Sequence, residues 1–196
     1  MKKSLIATLL AGMFVSTAAF AGAQITFEGE YEHVTNATNK DVTGLNIIPA
    51  YKFTDGALAG VTIDLKAQLQ DKVDTHTPGE NIEPRIRYDY DLSQYGVKGL
   101  SVWGRLGLGE KISSGDNFGY YTVEPGVAYS VNDKIKLSLS DRYRDSFADG
   151  KAYKTNTVYV GGAYKATDVD TIGLKVYEKY QDTHSTGVEL GYTRSF

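Results

Sequence analysis

Beyond residue 21, apolar and polar residues alternate with a period of two along almost the whole chain. Successive side chains of a β-strand point to opposite faces, so this alternation predicts strands with one apolar and one polar face. The first run sets Ile25, Phe27, Gly29 and Tyr31 against Thr26, Glu28, Glu30 and Glu32. The second carries Leu45, Ile47, Pro49, Tyr51 and Phe53. The third is the cleanest, with Val61, Ile63, Leu65, Ala67 and Leu69 opposite Thr62, Asp64, Lys66, Gln68 and Gln70. Ile82, Pro84, Ile86, Tyr88 and Tyr90 follow against Glu83, Arg85, Arg87 and Asp89, and then Leu100 to Leu108 against Ser101, Trp103 and Arg105. The later runs centre on Tyr121 to Tyr129, Ile135 to Arg144, Val158 to Tyr164, Ile172 to Lys179 and Val188 to Phe196. No segment sustains a 3.6-residue apolar period. Pro49, Pro84 and Pro125 fall inside runs, where each removes a ladder hydrogen bond, so bulges or strand ends are expected at these points.

Ten strands result, most of them long enough to cross a bilayer at a tilt, which takes roughly 9–11 residues. The connections alternate in length. Val34 to Asp41, Asp71 to Asn81, Ile112 to Asn117, Asp145 to Thr155 and Asp182 to Ser185 are the longer ones. Between them lie Thr54 to Ala57, Ser93 to Gly96, Asn132-Asp133 and Thr167-Asp168. Short periplasmic turns alternating with longer outside loops mark outer-membrane barrels. A soluble sandwich has no reason to keep that parity. The expected fold is therefore all-β: a closed, antiparallel, up-and-down transmembrane β-barrel of about ten strands, with eight or twelve as alternatives.

Residues 1–21 stand apart from this pattern. Lys2 and Lys3 precede an uncharged run from Leu5 to Phe20, and Ala19-Phe20-Ala21 supplies a small-x-small cleavage pattern. Residues 1–21 are expected to be a signal peptide and 22–196 the barrel. Losing Lys2 and Lys3 makes the formal net charge of −3 more negative, which argues against a nucleic-acid partner. The chain has no Cys, so a disulfide scaffold is excluded. Its mean hydropathy of −0.31 does not separate a soluble protein from a barrel whose two faces average out.

Aromatic residues sort by height. Phe27, Tyr51, Phe53, Tyr90, Tyr129, Tyr164, Tyr192 and Phe196 map towards the short-turn end. Tyr31, Tyr120, Tyr121, Phe147, Tyr153 and Tyr180 map towards the loop end. Two such groups predict aromatic girdles at the two membrane interfaces. Val188, Leu190, Tyr192 and the terminal Phe196 alternate back from the C-terminus. This pattern resembles the terminal signature that the barrel-assembly machinery reads, with Tyr192 and Phe196 as its aromatic positions. Arg194 departs from it.

The inward residues set function. Parity points Arg85, Arg87, Arg105, Arg142 and Arg144 inward from strands four, five and seven. Glu28, Glu30, Glu32 and Glu189 point inward from strands one and ten. A basic wall facing an acidic one would place a transverse field across a water-filled lumen and favour charged or polar solutes. Alternatively, the charges pair and plug the barrel. Asp141 falls on the nominal lipid face, where a bulge would have to rotate it inward.

Two stretches carry a family resemblance. Leu137-Ser138-Leu139-Ser140-Asp141-Arg142-Tyr143-Arg144 and the ending Gly191-Tyr192-Thr193-Arg194-Ser195-Phe196 resemble segments of the oligogalacturonate-specific porin family. The resemblance implies a small monomeric porin whose inward arginines guide acidic sugars, with Arg142 and Arg144 in that role. Family members have twelve strands, whereas this chain shows ten runs.

Other chemistries have weaker footing. Asp74-Thr75-His76 and Asp182-Thr183-His184 are Asp-x-His pairs in outer loops, and His33 lies near the same rim. Such a pair orients a general base in some hydrolases. Three scattered histidines in polar loops are more simply solvated surface residues. Asp89-x-Asp91 lies at the opposite end. No metal-ligand set and no phosphate-binding glycine loop is present, so no cofactor is expected. The expected function is a channel for passive uptake of small anionic or polar solutes, embedded in outer-membrane lipid as a monomer. The alternative is a non-conducting barrel that acts through its loops as an adhesin, receptor or structural protein.

Overall fold

The computed structural model describes residues 22–35, 41–73, 75–113, 117–149, 153–181 and 184–196. The expected signal peptide lies outside them. Ten strands form: β1 (Ala23–Val34), β2 (Val42–Lys52), β3 (Val61–Lys72), β4 (Thr77–Asp91), β5 (Leu100–Ser113), β6 (Phe118–Ser130), β7 (Ile135–Ser146), β8 (Thr155–Lys165), β9 (Asp170–Tyr180) and β10 (Ser185–Ser195). Each pairs antiparallel with its sequence neighbours, and β1 pairs with β10 to close the barrel. The seam runs from Gln24↔Ser195 to Val34↔Ser185, so the sheet has no free edge. Closure satisfies every strand's backbone groups within the wall, which a span through lipid requires.

The outward face is the apolar one. Leu45, Ile63, Ile86, Leu106, Leu108, Leu137, Leu139, Val160, Leu174 and Leu190 project from the wall, with Leu108 and Leu190 reaching 61% and 60% exposure. A continuous apolar girdle of this kind has no place in water and fits a hydrocarbon layer. The chain is thus a transmembrane β-barrel of the bacterial outer-membrane type. Its buried residues lie inside the barrel and are largely polar: Glu28, Glu32, Asn46, Lys66, Gln68, Asn81, Glu83, Arg85, Glu124 and Glu189 all fall below a tenth exposed.

The prolines correct one expectation. Register is unchanged across each of them: Ile47↔Ala67 and Ala50↔Asp64 flank Pro49, Ile82↔Glu110 and Arg85↔Gly107 flank Pro84, and Val123↔Tyr143 and Gly126↔Ser140 flank Pro125. No residue is inserted, so these are not bulges or strand ends. Each proline faces outward and keeps its partner on the other side, as in Ile25↔Pro49, Leu65↔Pro84 and Gly104↔Pro125. Asp141 is corrected in the same way. Its neighbours Ser140↔Tyr159 and Arg142↔Thr157 hold register, and Asp141 stays exposed on the outer face, where Asn156 Nδ2 donates to it at 3.4 Å. It lies next to Tyr143 and Asn156, at the loop-side margin of the apolar girdle.

Three inward glycines have a shared purpose. Gly109 pairs with Tyr120, Gly126 with Trp103 and Gly187 with Tyr177. A Cβ on these glycines would come within 2.2 Å, 2.3 Å and 2.2 Å of the respective rings. The missing side chains make room for aromatic rings to lie flat across the ladder, a packing that also repairs the weak strand propensity of glycine. Gly109→Val is expected to destabilise the barrel by about 1–3 kcal/mol through overpacking. In a Tyr120→Ala background the same Gly109→Val change should cost far less in urea unfolding, whereas an equal cost in both backgrounds would show that the ring does not use this seat.

Candidate functional site

All of the inward residues expected from parity do point into the barrel, but the lumen is not divided into a basic and an acidic wall. Acidic residues sit among the arginines. Arg85 Nε donates to Asp64 Oδ1 at 2.5 Å, across the β3–β4 rung that pairs them. Arg87 is held by Asp89 on its own strand. Arg105 Nη1 meets Glu124 Oε2 at 3.1 Å, again across a rung. Arg144 Nη2 lies 3.5 Å from Glu83 Oε2. On the opposite side lysines sit among the glutamates. Lys175 Nζ bridges Glu28 at 2.6 Å and Glu189 at 2.8 Å, and Lys179 pairs with Glu32. Glu30 accepts from Gln68 Nε2 and from the Tyr177 hydroxyl, both at 2.7 Å. Local pairing cancels most of the transverse field that a two-wall arrangement would set up.

The lumen has two halves. The half near the short turns contains a cavity of about 380 Å³ lined by Thr26, Asp64, Lys66, Arg85, Arg87, Trp103, Arg105, Arg142 and Lys175, among others. Exposed Lys52 and Lys136 also line it, so it reaches the turn-side rim. Trp103 forms part of its wall, with the Arg87 guanidinium 4.0 Å and the Arg105 guanidinium 5.4 Å from the ring centroid. Stacking on an aromatic face holds a guanidinium in a fixed plane.

The half near the loops is packed. Tyr120, Asn46 and Thr157 have no exposed surface, and Glu83 and Ser185 have almost none. Glu83 organises this layer: Thr122 Oγ1 donates to it at 2.6 Å and the Tyr120 hydroxyl at 3.2 Å. Tyr153 reaches in from the connection before β8. Its ring meets Phe118 at 4.8 Å and Tyr120 at 5.2 Å, and its hydroxyl accepts from Arg144 Nη1 at 3.0 Å. The expected loop-side girdle is corrected here. Tyr121 and Phe147 stack together near that rim, with centroids 5.5 Å apart, but Tyr120 and Tyr153 turn inward and fill the lumen.

Sequence reading did not single out Asp64, Lys66, Glu83, Trp103, Glu124, Tyr159 or Lys175. Parity alone puts them inside; a count of every inward charge, acidic and basic together, finds Asp64, Lys66, Glu83, Glu124 and Lys175, and inward aromatics counted beside them add Trp103 and Tyr159. Tyr153 carried no such signal, because it belongs to a connection.

Among the described residues, each histidine meets a carboxylate. His33 Nδ1 meets Asp41 Oδ1 at 2.9 Å, His76 Nδ1 meets Asp71 Oδ2 at 3.3 Å and His184 Nε2 meets Glu178 Oε1 at 2.7 Å. Asp74, Asp182 and Thr183 lie outside the described residues. Asp41 also accepts from the Tyr31 hydroxyl at 2.7 Å, and this hydrogen bond holds its carboxyl below the usual carboxylate range. These contacts tie the loop ends to the barrel rim.

No protein-family model matches the chain, and no curated protein matches it in sequence. Solved structures do match in shape. The COG4313 outer membrane channel from Pseudomonas putida F1 superposes with a TM-score of 0.55 at 12% identity, over 92% of this chain and 97% of that one. The NanC porin gives 0.52 at 11%, over 88% and 100%. The translocator domain of the autotransporter NalP from Neisseria meningitidis gives 0.50 at 10%, over 100% and 96%. The chain has an outer-membrane barrel fold. Identities this low carry the architecture and no more. Channels and a translocator share it, so the lumen of this barrel has to speak for its function.

Proposed function

We propose that the barrel is a narrow channel for passive passage of small anionic or polar solutes, acting as a monomer. One observation carries this reading: the turn-side half of the lumen is a charged cavity continuous with the rim, lined by more cations than anions. A hydrophobic plug would suffice to seal a structural barrel, and a lumen of this polarity is costly to build for sealing alone. Acidic sugars are the solute class that the resemblance of Leu137–Arg144 favours, with Arg85, Arg87, Arg105, Arg142 and Arg144 as guiding residues and Glu28, Glu30 and Glu32 on the opposite wall. The packed loop-side layer around Tyr120 and Tyr153 is then the constriction that a solute must displace. Liposome swelling tests this. Galacturonate should enter proteoliposomes faster than neutral galactose, and equal rates indistinguishable from protein-free vesicles would contradict it.

The second reading, a non-conducting barrel that works through its loops, draws on that same packed layer. Tyr120, Asn46 and Thr157 have no exposed surface there, which favours a filled lumen.

A further inference from the structure

A furrow of about 810 Å³ crosses the outer face of the wall from β2 to β6. Its floor is the backbone of one rung that continues over five strands, Ala50–Asp64–Arg85–Gly107–Thr122. These side chains point inward, and their outward neighbours form two uncharged banks. Tyr51, Ile63, Ile86, Leu106 and Val123 make the turn-side bank. Pro49, Leu65, Pro84, Leu108 and Tyr121 make the loop-side bank. Two of the mid-strand prolines therefore stand in one bank, on either side of Leu65. A proline ring folds back onto its own backbone and stands lower than a leucine. The ladder resumes just beside both of them, at Ala50↔Asp64 and Arg85↔Gly107. A proline inside a strand loses a ladder bond, and here the two rings lower the loop-side bank.

The furrow lies within the apolar girdle, so it faces hydrocarbon. It climbs obliquely: Ala50 stands two residues from the turn-side end of β2, and Thr122 four residues from the loop-side end of β6. Four inter-strand steps of about 4.8 Å make it about 19 Å long. That is enough for a chain crossing one leaflet, about half of a hydrocarbon core of ~30 Å. Tyrosines mark both ends: Tyr51, whose ring meets Phe53 at 4.9 Å, and Tyr121, whose ring meets Phe147 at 5.5 Å. Charge separates the two ends. At the loop end Asp145 lies across the rung from Tyr121, and Glu110 is the next outward position above Leu108. These carboxylates repel a phosphate head. At the turn end the next outward positions, Phe53, Val61 and Tyr88, are uncharged.

We propose that the furrow holds one acyl chain of a glycerophospholipid whose head lies at the turn-side interface beside Tyr51. Lipid tails are as apolar as the wall, so transfer out of water does not keep the chain there. Close contact does: the floor and the two banks surround the chain on three sides and supply dispersion contacts that a convex wall lacks. The site does not depend on conduction, because it lies outside the wall of an open or a sealed barrel alike.

The test is native mass spectrometry of the folded barrel in neutral detergent. Barrel extracted from outer membranes should retain one phospholipid mass. Delipidated barrel titrated with palmitoyl-oleoyl-phosphatidylethanolamine should show a one-lipid species that saturates. A dihexanoyl analogue, whose chains are too short to follow the furrow, should bind at least tenfold more weakly. Leu65→Trp, which lays a ring into the furrow between the two prolines, should weaken binding of the long-chain lipid at least tenfold. Leu174→Trp, at an exposed position on the opposite wall, should leave it unchanged. Unboiled gels report whether each variant folds, and Ile86→Trp decides if Leu65→Trp does not. Lipid uptake that never saturates at one per barrel would overturn the proposal, as would a folded Leu65→Trp protein with wild-type affinity. A retained phosphorylated glycolipid, or a barrel dimer that Leu65→Trp dissociates, would also overturn it by giving the furrow a different occupant.

Discussion

Replacing Glu83 with Ala is expected to lower the stability of the barrel by about 3–5 kcal/mol, the usual cost of removing one partner from a buried charge pair. Glu83 is 2% exposed and accepts from Thr122 and Tyr120 while facing Arg144. Without it, the Arg144 guanidinium stays inside the packed layer, stacked between Tyr120 and Tyr153 and lacking its carboxylate. Removing the charge together with its partner, in Glu83→Leu/Arg144→Met, should recover most of the loss, because an apolar pair of similar volume needs no counter-charge. Urea unfolding followed by the fluorescence of Trp103, the single tryptophan, reports both proteins. A cost below about 1 kcal/mol for Glu83→Ala would mean that water reaches this layer, since exposed pairs contribute no more than that.

Deleting Phe196 is expected to abolish accumulation of the assembled barrel in the outer membrane. The Phe196 amide donates to the Ala23 carbonyl at 2.9 Å, and Ser195 pairs with Gln24 just beside it. These are the last bonds of the β1–β10 seam, and the seam alone converts a ten-stranded sheet with two edges into a barrel with none. Phe196 and Tyr192 both project outward at the turn-side rim, where an aromatic ring anchors at the interface. A sheet left open at this end exposes backbone groups to lipid, each costing several kcal/mol. The truncated chain should be degraded or remain in the periplasm. Heat-modifiable barrel at wild-type yield, seen on an unboiled gel, would remove Phe196 from the assembly role.

The architecture was legible because one rule governs it. Period-two alternation assigns every strand residue to lipid or lumen, and loop parity fixes the order around the barrel. Even β8 and β9, with the least regular runs, form full strands of 11 residues. The prolines misled because ladder cost was weighed without its surroundings: Pro49, Pro84 and Pro125 each lose a rung on one side only, within a closed wall that holds register. The inward arginines were legible by parity, but their partners were not. Whether Arg85 meets Asp64 or Glu28 depends on cross-strand register, which a single strand's pattern does not contain. Tyr120 is legible in principle, since it shares parity with Thr122 and Glu124, but height alone points it to a girdle. Its seat over Gly109 needed the register as well.

The reversal potential of the purified barrel in a planar bilayer, measured under a salt gradient, tests the channel reading most directly. The account predicts discrete conductance with a preference for anions, because the turn-side cavity carries surplus positive charge. Replacing Arg85, Arg105 and Arg142 together with Gln frees Asp64 and Glu124 of their partners and should move the reversal potential towards cations. A wild type that never conducts, or one that conducts with a selectivity these three substitutions leave unchanged, would contradict it.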